Sequence, residues 1–189
     1  MKNILIFASG SGSNAEKIVL YFKNSKTISV IGIVTNNSSA KVLDKAKNYQ
    51  IPSFVFNKID LEDGLVLKKM QELKPDLIVL AGFLLKFPAS IVNNFKNKLI
   101  NIHPALLPKY GGKGMYGIHV HQAVLDNKDL ESGITIHYVN ENYDEGEYIF
   151  QKKVSVENCK TAQEIADKVL ILEHNYFSVI IEKLLTSNF

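Results

Sequence analysis

The chain has 189 residues, 46% of them hydrophobic and 22% charged, a length and composition that favour one globular domain able to bury a full core without staples. Its formal net charge is only +3 and all 22 basic residues are lysine, so there are no arginine forks and no dense basic stripe, which argues against a nucleic-acid reader. No apolar run reaches the ~18–20 residues needed to cross a bilayer, and the apolar stretch behind Met1 is too short for a secretory signal, so the expectation is a cytoplasmic protein with no membrane partner.

Strand-like runs at 3–8, 28–35, 52–56, 77–81 and 99–103 alternate with amphipathic stretches at 14–23, 39–49, 61–73 and 88–95. The runs ILIF, VIGIV and LIVLA are almost continuously apolar, as in parallel strands covered on both faces. Residues 104–118 hold two prolines and four glycines and should form a long loop, a feature that inside a compact domain tends to be functional. A short helix is expected at 120–126, then two antiparallel-like strands at 133–140 and 148–156, then a long final helix at 161–185 opened by a Thr161/Glu164 capping box. The fold class is therefore α/β: a single-domain, Rossmann-like, mostly parallel sheet flanked by helices, with antiparallel additions and a long C-terminal helix.

Three motifs carry chemistry. Ser9-Gly10-Ser11-Gly12-Ser13-Asn14-Ala15 lies between the first strand and the first helix, where unpaired helix N–H groups suit an anion. It fits G-x-G-x-x-A, but no acidic residue follows the second strand to hold a dinucleotide ribose, so a single-phosphate cradle is the better reading. Asn101 and His103 share one face at the end of the fifth strand. An amide there can steady an oxyanion, and an imidazole can move a proton near neutral pH. Asp144 in a polar turn matters only if folding brings it against His103, where a carboxylate would raise the imidazole pKa. His119 and His121 are two apart and share no helix face, so no metal is expected; His137 and His174 show no partner. The lone Cys159 excludes a disulfide and a multi-thiolate zinc site, and no serine sits in a nucleophile elbow, leaving direct transfer from donor to acceptor.

SGSGSN at 9–14, PDLIVLAGF at 75–83, LINIHPALLPKY at 99–110, the Asp of YDEG at 144 and LEH at 172–174 resemble, in order and over almost the whole length, the phosphoribosylglycinamide formyltransferases. The resemblance implies transfer of a formyl group from the co-substrate 10-formyltetrahydrofolate to the amine of 5-phosphoribosylglycinamide in purine synthesis, with small-molecule partners only, no metal, and a monomer or weak homodimer. It implies that Asn101 steadies the tetrahedral intermediate, His103 donates the proton and Asp144 tunes His103. Gly12, Ser13 and Asn14 would cradle the substrate phosphate, and Glu173 would hold the same substrate, by its ribose hydroxyls. Folate would lie against Leu84, Leu85, Lys86 and Phe87, beside Asn101, and against Asn140, Glu141, Asn142 and Tyr143. Residues 1–189 would then be one formyltransferase domain, with 1–100 as the phosphate and ribonucleotide half and 101–189 as the catalytic and folate half. The chain departs from many members in having Leu85, followed by Lys86, where a basic residue usually comes first, and in its longer GGKGMYG loop, expected to order over the ribonucleotide. Methionyl-tRNA formyltransferase and formyltetrahydrofolate deformylase share the catalytic motif but carry further domains not expected here. A phosphate-sugar binding module would keep SGSGSN without needing Asn101, His103 and Asp144 together.

Overall fold

The computed structural model describes residues 1–187. Seven strands form one sheet in the order β3-β2-β1-β4-β5-β6-β7. The strands β1 (Lys2–Phe7), β2 (Ile28–Thr35), β3 (Ser53–Val55), β4 (Leu77–Leu80) and β5 (Leu99–His103) are parallel. The last two, β6 (Glu131–Tyr138) and β7 (Tyr148–Ser155), continue the sheet antiparallel. Among the described residues seven helices, α1 (Ser13–Phe22), α2 (Val42–Asn48), α3 (Lys58–Glu62), α4 (Leu65–Leu73), α5 (Ala89–Asn94), α6 (Ile118–Asp126) and α7 (Ala162–Thr186), complete the expected single α/β domain.

Alternation along β1 builds the two cores. Ile4 and Ile6 pack with α1, α2 and α7, whereas Leu5 and Phe7 pack on the opposite face with α4 and α5. Burial on both faces is why these strands read as continuous apolar runs. Two local details differ from expectation. The stretch 61–73 is two helices rather than one, because Gly64 adopts φ 92°, and Asn57 and Asp60 form a reciprocal cap that starts α3 early. At α7 the Glu164 amide donates to Thr161 Oγ1 (3.2 Å), but the Glu164 carboxylate returns to the Lys160 amide (2.6 Å), one residue upstream of the expected box. Among the described residues no helix is long and apolar enough to cross a membrane.

Chain direction places the site. From β1 the order runs outward one way to β2 and β3 and the other way to β4 and β5, so a crevice opens at the carboxyl ends of β1 and β4, the usual ligand position in open α/β sheets.

Candidate active site

A cavity of about 740 Å³ fills that crevice, within the size range of small-molecule sites. The loop after β1, the segment after β4, the end of β5 and the turn before β7 all line it, and α7 closes one side.

Asn101 and His103 reach it from β5, on one strand face as expected, and Asp144 arrives from the turn between β6 and β7. That turn returns so closely that a Cβ on Gly146 would strike the Tyr138 carbonyl, so only glycine lets Asp144 come back over the sheet. Asp144 Oδ2 lies 3.6 Å from His103 Nδ1 and accepts the Gly112 amide at 2.9 Å. Its Oδ1 lies 3.4 Å from Asn101 Nδ2 and 3.6 Å from His137 Nε2. The amide, imidazole and carboxylate thus form one cluster.

His137, given no partner from the sequence, is a fourth member. The antiparallel register sets it directly opposite Asn101. Its Nδ1 faces the Tyr138 carbonyl at 2.8 Å and must carry its proton there, which leaves Nε2 to accept from Asn101 Nδ2 at 3.2 Å. Both amide hydrogens of Asn101 are therefore engaged, one on His137 and one, at a longer distance, on Asp144. The missed signal was the T-x-H alternation of β6. Thr135 opposes His103 in the same register, donates to the Ala105 carbonyl and accepts the Leu107 amide, which anchors the loop behind β5.

Protonation of His103 departs from expectation. The ring is 3% exposed, and burial, the largest influence, holds it below its ordinary 6.5. The Asp144 charge and the Tyr110 carbonyl pull it back up without prevailing, and His137 adds to the lowering. A nearby carboxylate was expected to raise this imidazole; desolvation outweighs it. The geometry nevertheless suits the cation once formed, since Nδ1 faces Asp144 and Nε2 lies 2.7 Å from the Tyr110 carbonyl, an acceptor on each side. Burial would also raise Asp144, but the two histidines and the Gly112 amide bring it below its ordinary value, so it is ionised.

Gly12, Ser13, Asn14 and Glu173 line the same cavity. Gly12 takes φ 69°, and a Cβ there would run into Val42, so its glycine is demanded by the turn itself. No side chain caps α1, whose first amides are left for a ligand. Ser9 is structural, its hydroxyl donating to Asn36 Oδ1 and accepting from the Leu84 amide. Asn14 Nδ2 donates to Glu173 Oε2 at 2.7 Å, and Asn14 Oδ1 is buried with no partner. Burial pushes Glu173 up to about 7, with the Asn14 contact working against it.

That shift has a stability consequence. A carboxyl whose folded pKa stands above its unfolded value supports folding at low pH and loses that contribution as pH rises from 4.5 through about 7. Glu173→Gln keeps an acceptor for Asn14 without the charge. It should raise unfolding free energy on the order of 3 kcal/mol at about pH 8 and change little near pH 4. Urea titrations at both pH values check this; an equal change at each would show that the carboxyl is not strained by burial.

Leu84, Leu85, Lys86 and Phe87, with Asn140, Asn142 and Tyr143, form the third wall. Leu84 is about half exposed, while Phe87 is core as well as lining, packed against Phe7 and Phe83. Lys86 Nζ stands 5.8 Å over the Tyr143 ring. Glu141 is not part of this wall; it is exposed and accepts from Asn93 Nδ2 on α5. Its place in a bend lets the carboxylate stay in water, which costs less than burying it. His121 lines the cavity unforeseen. It is buried, has an unpartnered Nδ1, and is pushed down to about 4 by burial and then by the His103 charge. Among the described residues no His, Cys, Asp and Glu group gathers as a metal set.

The formyl transferase family model matches residues 2–181. Similar proteins include the chloroplastic phosphoribosylglycinamide formyltransferases of Arabidopsis thaliana (39% identical over 95% of this chain) and Vigna unguiculata (38% over 97%); the chain spans 64% and 61% of their respective lengths. The Bacillus subtilis phosphoribosylglycinamide formyltransferase is 33% identical across 100% of this chain and 97% of its own length. The crystal structure of the enzyme of that name from Anaplasma phagocytophilum superposes with a TM-score of 0.90 at 29% identity, covering 98% of this chain and 87% of its own. With a family match over nearly all of its length and a full-length relative of this kind, the chain belongs to the formyl transferase family, among the phosphoribosylglycinamide formyltransferases.

Proposed function

We propose that the protein transfers the formyl group of 10-formyltetrahydrofolate to the amine of 5-phosphoribosylglycinamide, as the names of its relatives imply. The observation that carries the reading is the convergence of Asn101, His103 and Asp144 in one cavity that a helix N-terminus free of side-chain caps and a largely apolar wall also line. A simple binding module needs the helix N-terminus and the wall but not the cluster.

The lining sorts the substrates. The α1 amides at Ser13 and Asn14 receive the phosphate, and Glu173 and Asn14 receive ribose hydroxyls. A hydroxyl that donates to Asn14 Oδ1 also satisfies the buried acceptor left open there. The folate ring lies against Leu84, Leu85 and the backbone of 140–143. The acceptor amine and the formyl carbon then meet beside β5, and holding them there removes most of the entropic part of the barrier.

The amine lone pair attacks the formyl carbon and the carbonyl becomes an oxyanion. The longer of the two Asn101 contacts, that to Asp144, yields so that an amide N–H can turn to this oxygen. Once Nε2 has left the Tyr110 carbonyl, neutral His103, favoured by its burial and carrying its one proton on Nδ1 toward Asp144, accepts at Nε2 the proton that the amine sheds and becomes an imidazolium held by Asp144. It passes that proton to N10 of the folate as the carbon–nitrogen bond breaks. Its Nε2 is parked on the Tyr110 carbonyl and must leave it first, so the 110–117 loop moves as the substrates settle. In this reading residues 1–100 supply the phosphate cradle and part of the folate wall, and residues 101–189 supply the catalytic groups, Glu173 and the rest of that wall. Mixing the full chain with both substrates and following folate absorbance tests the proposal: formylated product and tetrahydrofolate should appear together. Binding of both substrates without turnover would replace the enzyme with a binding module.

A further inference from the structure

We propose that Lys113, at the tip of the glycine-rich loop after β5, is the counter-charge for the phosphate of the ribonucleotide. The inference rests on the functional reading above and adds to it a specificity residue on the 110–117 loop, to none of whose side chains that reading gives a part.

Charge balance motivates it. A phosphate monoester carries about −1.5 to −2 at neutral pH. The amino end of α1 offers roughly half a positive charge and a few amides. The chain has no arginine anywhere. The cavity is lined by three acids, Asp144, Asp167 and Glu173, and by two cations, Lys86 and Lys113. Lys86 stands over Tyr143, at the folate wall. Only Lys113 is left for the phosphate.

Its position fits. The preceding Gly112 amide is fixed on Asp144 Oδ2 at 2.9 Å, so the backbone of Lys113 starts beside the catalytic carboxylate. From there the loop leads into α6, which packs against α7, the helix that carries Glu173. The Met115 amide bonds the Gly112 carbonyl at 3.1 Å, so Lys113 and Gly114 form the corner of a tight turn. Gly112 and Gly114 take φ 94° and 89°, a conformation in which a side chain on either would be strained. The turn thus presents Lys113 as its protruding side chain. Among the described residues Lys113 is exposed and joins no ion pair. A flexible stem with a compact ammonium needs no fixed fork geometry and can follow a phosphate into place.

Glycinamide ribonucleotide and its dephosphorylated riboside separate this role from a structural one. Lys113→Met should raise the KM for the ribonucleotide about 10- to 100-fold, the size of one charge-assisted hydrogen bond, with kcat changed less than about three-fold. On the riboside the variant and the natural chain should agree within about two-fold, and Lys113→Arg should restore most of the ribonucleotide affinity. An unchanged KM, or an equal loss on both substrates, overturns the assignment. Calorimetric binding of the two ligands gives the same comparison without turnover. A natural chain that binds the ribonucleotide more tightly than the riboside, with the difference abolished by Lys113→Met, supports the role of Lys113 even if no formyl group moves, whereas absent turnover by itself overturns only the functional reading. A natural chain that binds both ligands alike overturns the assignment.

Discussion

Replacing His103 by alanine is expected to lower turnover by about 10²–10⁴-fold, the usual worth of a positioned proton-transfer group, while substrate affinities stay within a few-fold. In the proposed reaction the ring moves a proton and holds neither the phosphate nor the folate, so binding energy should survive its loss. The pH profile gives a second reading. Burial sets the His103 pKa below 6.5, and in the proposed reaction the neutral ring is the form that accepts the proton from the amine. In the natural chain kcat/KM should therefore fall on the acid side, through a pKa lower than that of a free histidine. His103→Ala should erase that limb from the residual rate. Stability moves too. A histidine whose folded pKa is depressed opposes folding increasingly as pH drops below 6.5, because the unfolded chain takes up the proton more readily. The alanine variant should lose that acid sensitivity, offset by the cavity it leaves. Activity within a few-fold of the natural chain would remove His103 from the mechanism.

Much of this arrangement was legible because it depends on local pattern. The five parallel strands announced themselves through continuous apolar runs, and the loop after His103 through its glycines and prolines. Asn101 and His103 could be placed on one face from two-residue alternation alone. What depends on strand register could not be read. His137 sits against Asn101 only because β6 pairs antiparallel with β5 in one particular alignment, and no local signal fixes that alignment. Asp144 reached His103 by resemblance to a family, not by periodicity, since the turn that delivers it relies on Gly146 closing against Tyr138. The direction of the His103 pKa was misjudged for a related reason. The partner carboxylate could be guessed from the motif, but the degree of burial is a property of the assembled fold. Resemblance to the family put Glu141 among the folate contacts, as part of the 140–143 loop, and the bend there turns it outward to Asn93.

Asn101→Ala should cost on the order of 10²–10³ in turnover if the amide holds the oxyanion, with little change in KM, since the developing charge exists only in the transition state. The structure adds a complication that the sequence did not show. Asn101 already spends both N–H groups, on His137 Nε2 and Asp144 Oδ1, so its truncation also strips a buried and a partly buried acceptor of a donor. Each uncompensated acceptor costs about 1–3 kcal/mol, and water admitted to the gap recovers part of that. A fall in stability is therefore expected alongside the fall in rate. The two effects separate by comparison with His137→Phe, which removes one acceptor and frees one Asn101 hydrogen while keeping a ring in place. That variant should lose stability for want of the Asn101 and Tyr138 contacts yet retain turnover within about ten-fold, because the amide that meets the oxyanion is still present. If His137→Phe instead matches Asn101→Ala in rate, the amide acts by holding the histidine, and the oxyanion must find its donor elsewhere. If Asn101→Ala raises KM and leaves kcat untouched, the side chain binds folate and does no more.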